Sequence, residues 1–164
     1  MIYRKVFFYS FLCSFLSCQN HDYKKEFIEK FGDEDFSNYI DCAVFFRSLD
    51  ENGDLLYFYS PAEEICKSPY IVTVDKEMKK PIQVDAKLRI FPCDQAVVDT
   101  TAILGVVEDF LRYNVRLLKV DSDSVVYVNV DRAGEANLIK LPKSQSFRDF
   151  EGFKHVEGDW YFKE

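Results

Sequence analysis

Apolar and polar positions along the chain change period several times, and each change predicts an element. Tyr23, Phe27 and Phe31 recur every four residues with Lys24, Lys25, Glu26, Glu29 and Lys30 between them. That is the stripe of a short amphipathic helix, with Asp22 as N-cap and Gly32 as the residue past its end. The mixed signs of its charges favour packing on the domain over lying on a bilayer. Cys42 to Leu49 and Leu55 to Ser60 are β-rich runs on either side of Asn52-Gly53, a pair whose tolerance of positive φ suits a hairpin. Pro61 to Lys67 predicts a short helix with proline in its first turn. Tyr70 to Asp75 and Ile82 to Phe91 read as a second strand pair joined by the lysine-bearing turn "DKEMKKP". In the later run Ile82, Val84, Ala86, Leu88 and Ile90 alternate with polar residues, which predicts one buried face and one wet one.

Pro92 breaks that strand. Asp94 or Asp99 then caps the longest predicted helix, running to about Tyr113, with Val97, Thr100, Ile103, Leu104, Val107, Phe110 and Leu111 as its stripe. Asn114 suits a left-handed end. Gly105, in mid-helix, costs about 1 kcal/mol against alanine, and a close helix–sheet contact would account for it. From Val115 strands return: "VRLLKV", an acidic turn at Asp121 to Ser124, "VVYVNV", a loop around Gly134, "NLIKLP", and "FKHVEGDWYFK" with a tight turn near Gly158. Strand pairs separated by one substantial helix predict an α+β domain, a mainly antiparallel sheet packed on one long helix. A curved nuclear-transport-factor-like or cystatin-like arrangement is a fold-level analogy for it.

The first residues break this alternation. Arg4 and Lys5 are followed by an uncharged run, Val6 to Ser17, and polarity returns at Gln19, which is the order of a secretory signal. Twelve apolar or small residues fall short of the ~20 a spanning helix needs. Phe15, Leu16, Ser17 and Cys18 form an apolar, variable, small, cysteine series that resembles the lipobox of bacterial lipoproteins. The resemblance implies diacylation of the Cys18 sulfur, cleavage before Cys18 and acylation of the new amine. Gln19 after the cysteine resembles an outer-membrane address rather than an inner-membrane one. These expectations divide the chain into a signal peptide over 1–17, a lipidated tether over 18–25 and one domain over 26–164.

Charge narrows the partners. The 164 residues carry a formal charge of −7, and without Arg4 and Lys5 they hold 19 basic groups against 28 acidic ones. Phosphate neutralisation needs a basic stripe, so a nucleic acid is not the expected partner.

Motifs narrow the chemistry. Only two histidines occur, His21 and His155. A nucleophile elbow, a Gly-rich phosphate loop, a paired-histidine helix and paired CxxC motifs are all missing. Asp50, Asn52 and Asp54 take the first, third and fifth places of a calcium loop. Leu55 and Pro61, however, stand where its glycine and glutamate belong, so the segment predicts a turn. No metal or cofactor is expected. Cys42, Cys66 and Cys93 allow one internal disulfide or free thiols, and their spacing is not that of a zinc site. Phe45-Phe46, Tyr57-Phe58-Tyr59 and Trp160-Tyr161-Phe162 must each send a ring to the far side of a strand; rings shared between one core and a covering helix are the favoured reading, and a second buried surface formed by a covering element, a ligand pocket or a protein interface is the alternative.

The expected protein is therefore a lipid-anchored cell-envelope module that binds an envelope protein or small ligand without catalysis. The alternatives are a small enzyme using carboxylates or His155, and an inhibitor or immunity-type protein.

Overall fold

A computed structural model describes residues 23–61, 69–88, 99–131, 135–143, 150 and 152–163. The predicted Pro61–Lys67 helix, apart from Pro61 itself, lies outside the described residues, as do Asp94, Cys18, Cys66 and Cys93. Helix α1 spans Tyr23–Phe31 and is followed by a 3-10 turn at Ser37–Tyr39. Strands β1 (Cys42–Leu49), β2 (Leu55–Pro61), β3 (Tyr70–Val74) and β4 (Pro81–Asp85) come next, then helix α2 (Thr100–Leu111). The chain ends with β5 (Leu117–Val120), β6 (Val126–Asn129), β7 (Leu138–Lys140), β8 (Phe153–Glu157) and β9 (Trp160–Lys163).

The nine strands among the described residues join one antiparallel sheet in the order β4-β3-β2-β1-β5-β6-β7-β9-β8. The first four strands form a meander, and α2 intervenes before the chain re-enters the sheet on the other side of β1. The architecture is α+β. The predicted single long helix is a correction: α2 has twelve residues, and nine-residue α1 shares its task. Phe27, Ile28 and Phe31 of α1 and Ile103, Val107 and Phe110 of α2 join one core with Val44, Val72, Leu118, Val128 and Leu138 of the sheet. Each such burial is worth about 1.5–3 kcal/mol, so two short helices hold the face that one long helix was expected to cover.

Local chemistry explains the element ends. Asp99 caps α2, accepting hydrogen bonds from the amides of Thr101 (2.9 Å) and Ala102 (3.2 Å). Asn114 follows in the left-handed region at φ 53°, as the sequence predicted. Gly105 is a second correction, because a Cβ built there meets nothing within 4 Å and no close helix–sheet contact accounts for it.

Aspartates organise the turns. Asp50 accepts from the amides of Asn52 and Asp54, both at 2.8 Å, while Gly53 takes φ 84°. Asp75 does the same for Glu77 and Met78, and Asp121 for Asp123 and Val125. Part of the acidic surplus thus replaces backbone partners in turns. The run predicted from Ile82 to Phe91 stops at Asp85, where the side chain accepts from the Lys87 amide and turns the chain. Ile82 sits in a bulge of edge strand β4 and is 50% exposed, so the expected buried face is only partly realised there.

Most rings of the three aromatic clusters join the main core, Tyr57 and Trp160 within it and Phe46, Tyr59 and Phe162 against it, while a smaller apolar cluster on the reverse face takes Tyr161. Val125, Ile139 and Leu141 pack with Tyr127, Phe150, Phe153 and Tyr161 apart from the main core. Phe45 and Phe58, paired across β1 and β2, meet edge to face at 5.0 Å. Arg47, the extra residue of a bulge in β1, lies 4.8 Å over Phe58.

Candidate functional site

A concavity among the described residues lies at the C-terminal end of α1 and begins with Gly32. Its amide donates to the Ile28 carbonyl at 2.7 Å, and a Cβ on Gly32 would stand 2.5 Å from that oxygen. The residue is glycine because the last turn of α1 closes on itself. Its carbonyl accepts from Lys140 Nζ at 2.7 Å and from Trp160 Nε1 at 3.2 Å. Lys140 also donates to the Glu34 carbonyl at 3.2 Å. An ammonium at the negative end of a helix dipole is favourable; here it ties β7 to the end of α1, and the Trp160 indole ties β9 to the same carbonyl.

Aromatic rings surround this tie. Lys140 Nζ lies 5.5 Å from the Phe36 ring and 5.6 Å from that of Trp160, within cation–π range. Trp160 meets Phe27 edge-on at 5.8 Å, and Tyr113 meets Phe31 at 5.0 Å. The loop after α1 is then pinned by polar groups. Asp35 accepts from the Ser37 amide (2.9 Å) and hydroxyl (3.0 Å), which starts the 3-10 turn. Glu34 pairs with Arg112 at 2.8 Å, and Arg112 also pairs with Asp109 at 2.8 Å. The fully buried Tyr39 donates to Asp109 at 2.9 Å. Burial, and secondarily the Asp109 carboxylate, push the Tyr39 hydroxyl far above its ordinary pKa.

These elements frame a cleft of about 830 Å³, within the range of ordinary ligand pockets. Ile28, Phe36, Val126 and Trp160 are buried along its floor, and Ile40 on its lip is 43% exposed. Its remaining lining includes Glu29, Asp33, Glu34, Asp35, Glu157 and Asp159 against Lys140 and Lys143. The Asp33, Glu157 and Asp159 carboxylates form no ion pair among the described residues. Among those residues no group of three or more His, Cys, Asp or Glu is arranged to hold a metal ion, and no helix is long and apolar enough to cross a membrane.

The residues singled out in the sequence fall elsewhere. His155 on β8 is exposed, and its Nε2 donates to the Gly158 carbonyl at 2.9 Å while its ring meets Tyr161. That bond serves the β8–β9 turn. Cys42 is a free thiol, 5% exposed, in β1. The cleft draws instead on "GDEDFSNYI" after α1, on Lys140 and on Trp160. Of these only Trp160 belonged to a predicted aromatic cluster. The sequence reading missed this site; the one local signal that could have pointed here is the acidic run Asp33-Glu34-Asp35 directly after a helix end.

Burial raises the Cys42 thiol to about 11 from 9.0, with a Tyr59 hydrogen bond working in the opposite direction. Burial also raises Tyr59 and Tyr127 to about 12 from 10.0. A raised acid pKa means that the unfolded chain ionises first. Stability from these groups is therefore intact below pH 9 and lost as pH climbs through 11 to 12. Thermal unfolding followed by circular dichroism should show a constant midpoint near neutrality and a steep fall over that window. Cys42 should resist alkylation at pH 8 until the fold is denatured.

No protein-family model, curated protein or solved structure matches this chain.

Proposed function

We propose that this protein is a lipid-anchored module of the bacterial cell envelope, acylated at Cys18 and more at the outer than the inner membrane, whose domain binds a partner without catalysis. The observation that carries the binding half is the cleft, with its apolar floor, its acidic walls and a lysine whose ammonium is already held by two carbonyls. Such a surface is suited to holding a ligand. His155, the best general-base candidate of the enzyme alternative, is tied to its own turn. The acidic walls give some support to the inhibitor or immunity-type alternative, which also needs a binding face. As the finer reading of the fold we keep the curved nuclear-transport-factor-like or cystatin-like arrangement, on the strength of two helices gathered on one face of the sheet.

The anchoring half rests on Cys18 in its lipobox-like setting. Two or more acyl chains hold a protein stably where one does not. Cell fractionation of the wild type and of Cys18→Ala tests it. The wild type should stay with membranes through a high-salt wash, and Cys18→Ala should lose that association. A variant that remained in the membrane pellet would overturn acylation as the anchor.

A further inference from the structure

We infer that the cleft at the end of α1 receives a basic peptide segment of a partner protein, turned away from the membrane. This rests on the anchored-module reading above and names the partner chemistry of the same site. Three features of the molecule lead to it.

The first is charge. Six carboxylates face two lysines along the lining, and one of those lysines, Lys140, is engaged with backbone carbonyls. Asp33, Glu157 and Asp159 have no cationic partner among the described residues. A cationic segment supplies the missing complement, and such complementarity both steers encounter and fixes register.

The second is that the cleft already holds one cation of its own. Lys140 shows how an alkylammonium fits this end of the domain, with carbonyls of Gly32 and Glu34 accepting its protons and two ring faces beside it. The apolar floor and the exposed side chain of Ile40 can take the methylene stems of arginine or lysine, which bury along apolar surface while the charged heads stay near carboxylates. A small inorganic cation would use none of that floor.

The third is position. Tyr23 is five positions after Cys18, a reach of at most ~18 Å, so an acylated Cys18 holds the N-terminal end of α1 near the bilayer. The cleft lies at the other end of that nine-residue helix, about 13 Å further along it. An acid-lined cleft also repels anionic headgroups. Peptide is therefore the occupant to which both placement and sign point.

The sequence holds one tryptophan, and it lies on the cleft floor, so the single indole N–H resonance reports occupancy. The experiment titrates the detergent-solubilised full chain with tetra-arginine, spermidine and tetraglutamate. Tetra-arginine should shift the Trp160 signal saturably, and the shift should weaken between about 50 and about 500 mM salt. The double variant Asp33→Asn with Glu157→Gln changes two exposed side chains and should bind about tenfold more weakly. Tetraglutamate should do nothing. Failure of tetra-arginine to shift Trp160, or equal binding by the double variant, would overturn the site. Spermidine binding as tightly as the peptide would overturn the peptide assignment. The Cys18→Ala chain should bind tetra-arginine as the wild type does, so a failed anchor and a failed cleft are told apart.

Discussion

Replacing Phe110 by alanine should cost about 3–5 kcal/mol of folding stability, the range for truncating a buried aromatic. Phe110 is 1% exposed, on the face of α2 that meets the sheet, and its ring packs edge-on against Tyr57 at 5.6 Å. Tyr57 in turn meets Phe46, so the ring completes an aromatic column from β1 through β2 to α2. Deleting it leaves a cavity that two short helices cannot collapse around, because α1 is pinned separately through Gly32 and Lys140. Domains of this size hold roughly 5–15 kcal/mol in all, so the variant should unfold at a much lower urea midpoint with an unchanged slope. A loss below about 1 kcal/mol would mean that α2 does not seat on this sheet as described.

Trp160→Ala should cost a similar ~3–5 kcal/mol, for a reason that Trp160→Phe separates into parts. Trp160 is 3% exposed and packs edge-on against Phe27 and Phe36, and its indole N–H donates to the Gly32 carbonyl. Phenylalanine retains most of the ring contact and loses the donor, so it should cost about 1 kcal/mol. The Gly32 carbonyl stays satisfied by Lys140 in that variant. Circular dichroism during thermal unfolding reads both variants without relying on the indole. Equal losses for the two would place the energy in the hydrogen bond and contradict the packing account.

Much of the fold was legible because its strands are short, β-branched and bounded by turn residues. The β1–β2 hairpin came out within a residue at each end, as Asn52-Gly53 admits positive φ and Asp50 caps the turn. The β8–β9 turn at Gly158, φ 55°, was readable for the same reason. What the sequence misjudged were long-range matters. Alternation from Ile82 onward looked like a strand of ten residues, yet β4 is an edge strand with one partner, and Asp85 turns the chain after five residues. Of the two caps the sequence offered for the helix ahead of Tyr113, Asp99 is the one the structure shows, and the helix is shorter than an apolar stripe drawn from Val97 suggests. Neither difference in length changes the α+β class.

The cleft was hidden more thoroughly. Its parts come from the loop after α1, the ends of β5 and β7, and the β8–β9 turn, segments far apart in the chain that only the sheet order brings together. Lys140 carries no motif, and nothing local says that its ammonium will reach Gly32 across 108 positions. Carboxylates that serve turns, such as Asp50 and Asp121, look the same in sequence as Asp33 and Glu157, which line the cleft without a cationic partner. Only the hydrogen-bond pattern separates them.

The central claim is that an acylated Cys18 holds this binding domain at a membrane. Intact mass of the protein extracted from membranes, beside Cys18→Ala, tests it most directly. The account predicts a mature chain beginning at Cys18 and carrying three acyl groups, with no such species in the variant. A chain with unmodified Cys18, whether cut elsewhere or still bearing its first seventeen residues, would contradict it.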